Sequence, residues 1–120
     1  MFKLFLLLAL SVYGLTANDS ENVNPNINEQ LLSVTNSSDL LSLKDLIKQG
    51  VNINAKDARG RTALMIATYN RDVEACKILI DAGADVNILD DRQNNPFLYA
   101  GAEGYTDILK LTIKAGADAS

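Results

Sequence analysis

Asp57-Ala58-Arg59-Gly60-Arg61-Thr62-Ala63-Leu64-Met65-Ile66-Ala67 returns 33 residues later as Asp90-Asp91-Arg92-Gln93-Asn94-Asn95-Pro96-Phe97-Leu98-Tyr99-Ala100, with the apolar, small and turn positions in register. The ends of the two copies also agree. Asp81-Ala82-Gly83-Ala84-Asp85-Val86-Asn87 is answered by Lys114-Ala115-Gly116-Ala117-Asp118-Ala119-Ser120. One further step back aligns Leu31, Val34, Gly50, Asn52 and Asn54 with Leu64, Ala67, Gly83, Asp85 and Asn87, so a degenerate copy occupies about residues 24–54. The chain therefore holds three copies of one unit, at about 24–54, 57–87 and 90–120. A period of this length supplies one helix-turn-helix with its connecting turn, and such units bury a core only by stacking on their neighbours.

Within the middle copy, Thr62 is placed to cap a first helix that runs to about Tyr69, its hydroxyl accepting an amide hydrogen that the first turn leaves unpaired. A second helix is predicted from about Val73 to Asp81. Cys76, Leu79 and Ile80 then share one face, with Val73 a turn earlier. Gly83 stops it, because the residue after the last turn adopts a left-handed conformation that glycine reaches without strain. In the third copy Ile108, Leu109 and Ile113 are expected to rebuild the stripe after Thr106 and Asp107, with Gly116 as the stop. Thr112 stands where Leu46 and Leu79 stand, so its hydroxyl must bond back to its own helix. The first copy reads as a polar cap, with Glu29, Gln30, Ser33, Ser37, Ser38 and Asp39. The third does not: Phe97, Leu98, Ile108, Leu111 and Ile113 keep the pattern of an internal unit.

These copies resemble the ankyrin repeat, whose signature is Thr-Pro-Leu-His-x-Ala at the first helix and Gly-Ala-Asp-Val-Asn after the second. Thr62-Ala63-Leu64-Met65 replaces the Pro and His, whereas Asn95-Pro96-Phe97-Leu98 keeps the Pro and loses the Thr. The resemblance implies an all-α ankyrin-repeat solenoid over residues 27–120, its helix-turn-helix repeats linked by β-hairpin-like turns. The run from Asn95 to Gly104 is also similar to a segment of exported bacterial ankyrin proteins that continue with further repeats. A truncated or split member is the resulting expectation, its C-terminal face covered by self-association or by a partner.

Met1-Phe2-Lys3 gives a positive start, Leu4 to Leu10 an apolar run, and Leu15-Thr16-Ala17 a small residue at a cleavage position. This is the layout of a secretory signal peptide over residues 1–17, cleaved after Ala17 or, as the alternative, after Gly14. Residues 18–26 read as a polar flexible linker, with Pro25 interrupting any helix. The apolar run is shorter than the ~20 residues that cross a bilayer, so no stable membrane span is expected after cleavage. An exported protein, periplasmic rather than fully secreted, is the expectation.

With 11 basic and 15 acidic residues the formal net charge is −4, and the cations are scattered among acids, which argues against nucleic acid. The chain has no histidine and one cysteine. That removes the usual neutral-pH general base, the histidine-containing triads, the common zinc sites and any internal disulfide. No Gly-rich phosphate loop is present. Cys76 falls on the inner face of the second helix and reads as a buried small hydrophobe. Asp57, Asp85 and Asp90 occupy positions suited to turn hydrogen bonds, and the spacing of Asp85, Asp90 and Asp91 fits no calcium loop. No enzyme, cofactor or metal site is therefore expected.

In the family, turn tips and the outer side of the first helix form a concave face that meets protein partners. Carried over by alignment, the partner-binding positions are Lys56, Ala58, Arg59, Arg61, Tyr69 and Asn70 around the middle repeat. Around the third they are Leu89, Asp91, Arg92, Asn94, Ala102 and Glu103. Arginine and tyrosine dominate interface energetics, which puts Arg59, Arg61, Tyr69 and Arg92 first. The competing reading of the arginines is a solvated strip interleaved with Asp57 and Asp91. For Tyr69 it is a ring packed on the next repeat's first helix with its hydroxyl in water. The function implied is a non-enzymatic protein–protein interaction scaffold with a partner of unknown identity. The alternative is an accessory or neutralising subunit for an exported enzyme or toxin. On this reading Arg61→Ala should weaken partner binding and leave stability nearly unchanged.

Overall fold

A computed structural model describes residues 27–117. The expected signal peptide, the linker and the last three residues lie outside that range. Six helices follow in order: α1 Ile27–Asn36, α2 Leu40–Lys48, α3 Ala63–Tyr69, α4 Val73–Asp81, α5 Pro96–Glu103 and α6 Thr106–Lys114. They form three helix-turn-helix pairs, α1α2, α3α4 and α5α6, and α3 to α5 and α4 to α6 are each displaced by the sequence period.

Local chemistry explains the starts. Thr62 accepts the Met65 amide at 3.2 Å, and Asn95 takes the same role in the third repeat, accepting from Leu98 at 2.9 Å with Pro96 just inside the helix. The lost Thr is thus replaced by another good cap. Asp39 and Asp72 cap α2 and α4 through the amides of Ser42 and Ala75, each at 3.1 Å. Tyr105 stands at the equivalent place before α6 and makes no side-chain cap. The turn joining the helices of each pair needs one left-handed residue: Ser38, Arg71 and Gly104 supply it in turn.

Stacking then makes the core. α3 lies between α1 and α5, and α4 between α2 and α6. The middle repeat is covered on both sides, so six consecutive residues of α3, from Ala63 to Thr68, are buried. Leu43, Leu79 and Ile108 are fully buried one per repeat along the second helices. Cys76 is buried among them. Threonines in the core bond to their own helix, Thr35 to the Leu31 carbonyl at 2.7 Å, Thr68 to Leu64 at 2.8 Å and Thr112 to Leu109 at 2.8 Å.

The apolar stripe of the third repeat is covered only in part. Ile108 is buried and Leu109 half-buried, but Ile113 is 57% exposed and Leu98 45% exposed. Their middle-repeat equivalents are covered: Met65 is 1% exposed and Ile80 half-buried. The side chains follow the repeat pattern, but burial requires a neighbour. Among the described residues nothing packs on the far side of α5 and α6.

Successive repeats are also tied by polar contacts outside the helices. Asn54 Oδ1 accepts the Asp85 amide at 2.9 Å, and Asn87 Nδ2 donates to the Gly116 carbonyl at 3.3 Å, the same asparagine position acting twice. Each bond fixes the loop after one second helix to the corresponding loop of the next.

The turns between pairs are tight fingers. Asp57 and Arg61 pair through the Asp57 amide and the Arg61 carbonyl at 3.0 Å, and Asp90 and Asn94 pair likewise at 2.8 Å. Lys56 and Thr62 form an isolated antiparallel bridge, the one β pairing among the described residues. The fourth finger residue is left-handed in both, Gly60 at φ 74° and Gln93 at φ 63°. A side chain in that conformation carries strain that glycine does not. Gln93→Gly is therefore expected to stabilise the fold by about 0.5–1 kcal/mol, net of the added chain entropy, seen as a higher urea midpoint at unchanged slope.

Candidate functional site

Each finger is held by one carboxylate. Asp57 Oδ1 accepts the amides of Arg59 and Arg61, both at 2.9 Å, and its Oδ2 takes Nε and Nη2 of Arg61, both at 2.8 Å. Asp90 does the same for the next finger, accepting the amides of Arg92 at 2.9 Å and Asn94 at 3.0 Å. In place of an arginine its Oδ2 takes the Tyr69 hydroxyl from the end of α3. Asp85, the third turn aspartate, accepts the Asn87 amide at 2.9 Å.

The two fingers are joined directly. The Asp91 amide donates to the Arg59 carbonyl at 3.0 Å. The Asp91 carboxylate lies over Gly60 so closely that a Cβ there would sit 2.8 Å from Oδ1. Tyr69 completes the joint, since its hydroxyl also accepts from Asn94 Nδ2 at 3.2 Å. Its ring meets Tyr99 of α5 edge-on at 4.5 Å, and Tyr99 meets Tyr105 at 6.0 Å. Arg71 covers the Tyr105 ring at 4.7 Å and pairs with Asp107 at 3.6 Å. Tyr69 therefore packs on the next repeat's first helix, but its hydroxyl is committed to Asp90 and Asn94 rather than to water.

Between the fingers and α3 lies a concavity of about 290 Å³ lined by Arg59, Arg61, Tyr69, Asp90, Asp91 and Arg92. Five of these are sequence-predicted positions. Asn94 supports the wall through Tyr69. Lys56, Ala58, Asn70, Leu89, Ala102 and Glu103 are exposed but do not line it. Asn70 instead reaches back to Asn36 Oδ1 at 3.1 Å. The sequence alone places Asp90 only at its turn. Its second role rests on Tyr69, 21 residues earlier, a separation that no motif spacing encodes.

The site's electrostatics follow from these bonds. Burial alone would raise the Asp90 carboxyl, but the Tyr69 hydroxyl, the amides of Asn94 and Arg92, and the Arg92 charge outweigh it and hold it below the ordinary 3.8. Burial likewise works against Asp57, and its bonds to the Arg61 amide, the Arg61 side chain and the Arg59 amide, with the Arg61 charge, prevail. Tyr69 is raised by burial and by its bond to Asp90, so its proton stays on the phenol.

Arg61 is less free than the sequence reading held. Half-buried and double-bonded to Asp57, it is a strut of its finger. Arg61→Ala is therefore expected to cost about 0.5–1.5 kcal/mol in a urea melt rather than to leave stability unchanged. Arg59 and Arg92 are exposed, and no ion pair to either side chain occurs among the described residues.

Nucleophilic chemistry has little to work with here. Burial, with the charges of Asp72 and Asp107, pushes the Cys76 thiol up to about 12 in spite of its hydrogen-bond contact with the Thr68 hydroxyl. A thiol so placed is neutral at physiological pH and shielded. Cys76 is expected to resist alkylation by iodoacetamide in the folded chain and to react promptly in 6 M guanidinium, which mass spectrometry reads directly. Among the described residues no three Cys, Asp or Glu side chains converge as metal ligands. No helix of the described residues is long and apolar enough to cross a membrane.

Stacked helix pairs with paired fingers and a lateral concavity define a helical-repeat solenoid. A family model described as ankyrin repeats, in three copies, matches residues 31–120, and the chain belongs to the ankyrin-repeat family. The structure is similar to the crystal structure of an ankyrin repeat domain from Acinetobacter baumannii AYE, with 44% identity and a TM-score of 0.72. That match takes in 74% of this chain and 45% of the other. Comparison with curated proteins found no match. Ankyrin repeats generally mediate protein–protein interaction, on a fold that is typically a non-enzymatic scaffold.

Proposed function

We propose that this protein is a non-enzymatic, exported scaffold that binds a protein partner through its finger tips and concave helix face. The observation that carries the reading is the concavity of Arg59, Arg61, Tyr69, Asp90, Asp91 and Arg92, built before any partner arrives. Its walls are fixed by the bond between fingers and by the Tyr69 contacts, so little ordering entropy opposes binding. Export rests on the signal-peptide layout of residues 1–17.

The test is site-directed photocrosslinking in the producing cell from positions 59, 92 and, as a control, 110 on the opposite side. A single adduct from 59 and 92, absent from 110, supports the reading. Equal adducts from all three overturn it. Identification of the adduct as an exported enzyme or toxin would favour the accessory-subunit role.

The apolar end formed by Leu98 and Ile113 supports a second contact, self-association through the third repeat. Sedimentation velocity decides this: a dimer lost on Ile113→Lys supports it, and a monomer at high concentration overturns it.

A further inference from the structure

The concavity is built half by each of two repeats. Arg59, Arg61 and Tyr69 come from the middle repeat, and Asp90, Asp91 and Arg92 from the finger of the third. It exists only while the third repeat is folded against the second. Three ties across that boundary are the Tyr69 hydroxyl on Asp90, the Asp91 amide on the Arg59 carbonyl and the Arg71–Asp107 pair. Each ends on a residue between 90 and 107, so all of them break together when that segment leaves.

The first and third repeats each pack on one neighbour among the described residues, but they are not equally held. The first buries Leu31, Leu43 and Leu46, whereas Ile108 is the one large aliphatic side chain buried in the helices of the third. Thr112 fills the place of Leu46 and Leu79 with fewer apolar atoms, and Leu98 and Ile113 stay 45% and 57% exposed, so they add little burial on folding. Side chains cap the starts of α2, α3, α4 and α5, but Tyr105 makes no such bond for α6. Gly101 lies inside α5, where glycine gives up more chain entropy on folding than alanine would. In a stack whose stability is a sum of unit and neighbour contributions, the unit with the least burial and a missing cap opens first.

We infer that residues 90–117 open and close as one cooperative unit while the first two repeats stay folded, and that this opening switches the concavity off. In the open form Arg59, Arg61 and Tyr69 keep their places but lose the wall opposite them. A partner that needs both fingers binds the closed form alone. Its affinity is therefore scaled by the closed fraction, and by reciprocity its binding suppresses the opening. This consequence for binding rests on the proposed concave-face docking, whereas the opening itself does not.

Native-state hydrogen exchange of the full chain, followed amide by amide by NMR, tests the opening without any partner. The amides of Asp91, Arg92 and Asn94, bonded to the Arg59 carbonyl or to Asp90, are expected to share one opening constant with the amides of α5 and α6. That constant should be at least about tenfold larger than those of α3. Gly101→Ala places a Cβ 3.8 Å from Leu109 Cδ1, an ordinary contact, and should lower the shared constant about two- to fivefold. Asp39→Ala removes the side-chain cap of α2 in the first repeat. It should raise the constants of α1 and α2 about fivefold and leave the shared one unchanged. One constant for all six helices, or a shared constant that rises in Asp39→Ala, would mean that the chain opens only as a whole and would overturn the inference. Larger constants in α1 and α2 than in α5 and α6 would overturn the choice of the third repeat. Finger amides that exchange apart from α5 and α6 would overturn the switch. The exchange pattern is independent of the crosslinking result, so failure of the docking reading and failure of the opening are told apart.

Discussion

Leu79→Ala is expected to cost about 2–5 kcal/mol and to leave a large fraction of the chain unfolded at 37 °C. Leu79 is fully buried on α4, the second helix of the repeat covered on both sides. Removing three carbons there opens a cavity facing both neighbouring repeats, and the short helices cannot collapse into it without losing register with their fingers. Domains of this size have only about 0.05–0.15 kcal/mol of stability per residue, so one such loss consumes much of the total. Urea unfolding followed by circular dichroism reads the effect. Ile113→Ala, on the exposed end, is the matched control and should change stability by no more than about 0.5 kcal/mol in the monomer. Equal losses at the two positions would mean that burial of the second-helix stripe has been misplaced.

The second large effect is expected at Asp90. Asp90 is 4% exposed, and Asp90→Ala strips the acceptor from two finger amides and from the Tyr69 hydroxyl. Leaving such groups unpaired should cost on the order of 3 kcal/mol, and the loss should appear together with a loosening of the Tyr69–Tyr99 contact. Asp90→Asn keeps one accepting oxygen for the amides and should cost less than half as much. The pair of variants separates the finger's hydrogen bonds from its charge.

The charge has its own signature in pH. The folded-state values of Asp57 and Asp90 lie below the ordinary 3.8, so the folded state binds these protons less readily than the unfolded chain. Their stabilisation is therefore complete above the unfolded value and is lost as pH falls through the lower folded values. Stability should hold from neutrality to about pH 5 and decline steeply below about pH 4. Asp90→Asn should make that decline shallower without abolishing it, because Asp57 still titrates. A decline of unchanged slope would show that Asp90 carries none of the dependence.

The helices were legible because their determinants are local. Thr62 caps α3, the apolar spacing in α4 runs from Val73 to its end at Asp81, and Gly83 follows with a left-handed φ of 94°. Thr112 bonds back to Leu109 as its position demanded. Exposure was harder to read. Ile113 carries the same apolar signal as Ile80, but the coverage that buries Ile80 comes from the next repeat and is not written in α6. Arg61 and Tyr69 show the same limit. Their residue types marked them as binding groups, yet one braces Asp57 and the other joins Asp90 across the repeat boundary.

The sequence by itself determined the repeat, the helix positions, the caps and the family, because periodicity and capping act within a few residues and recur in each copy. Only the tertiary structure decided which arginines remain available. Asp57 is claimed within its own finger, stacking closes Tyr69 against Tyr99 and Asp90 across the repeat boundary, and Arg59 and Arg92 are left lining the concavity without an ion pair among the described residues. The physical reason is competition for donors and acceptors: a charge is free for a partner only when no neighbour has claimed it, and here those neighbours lie partly in the same finger, as Asp57 does for Arg61, and partly in the next repeat, as Asp90 does for Tyr69.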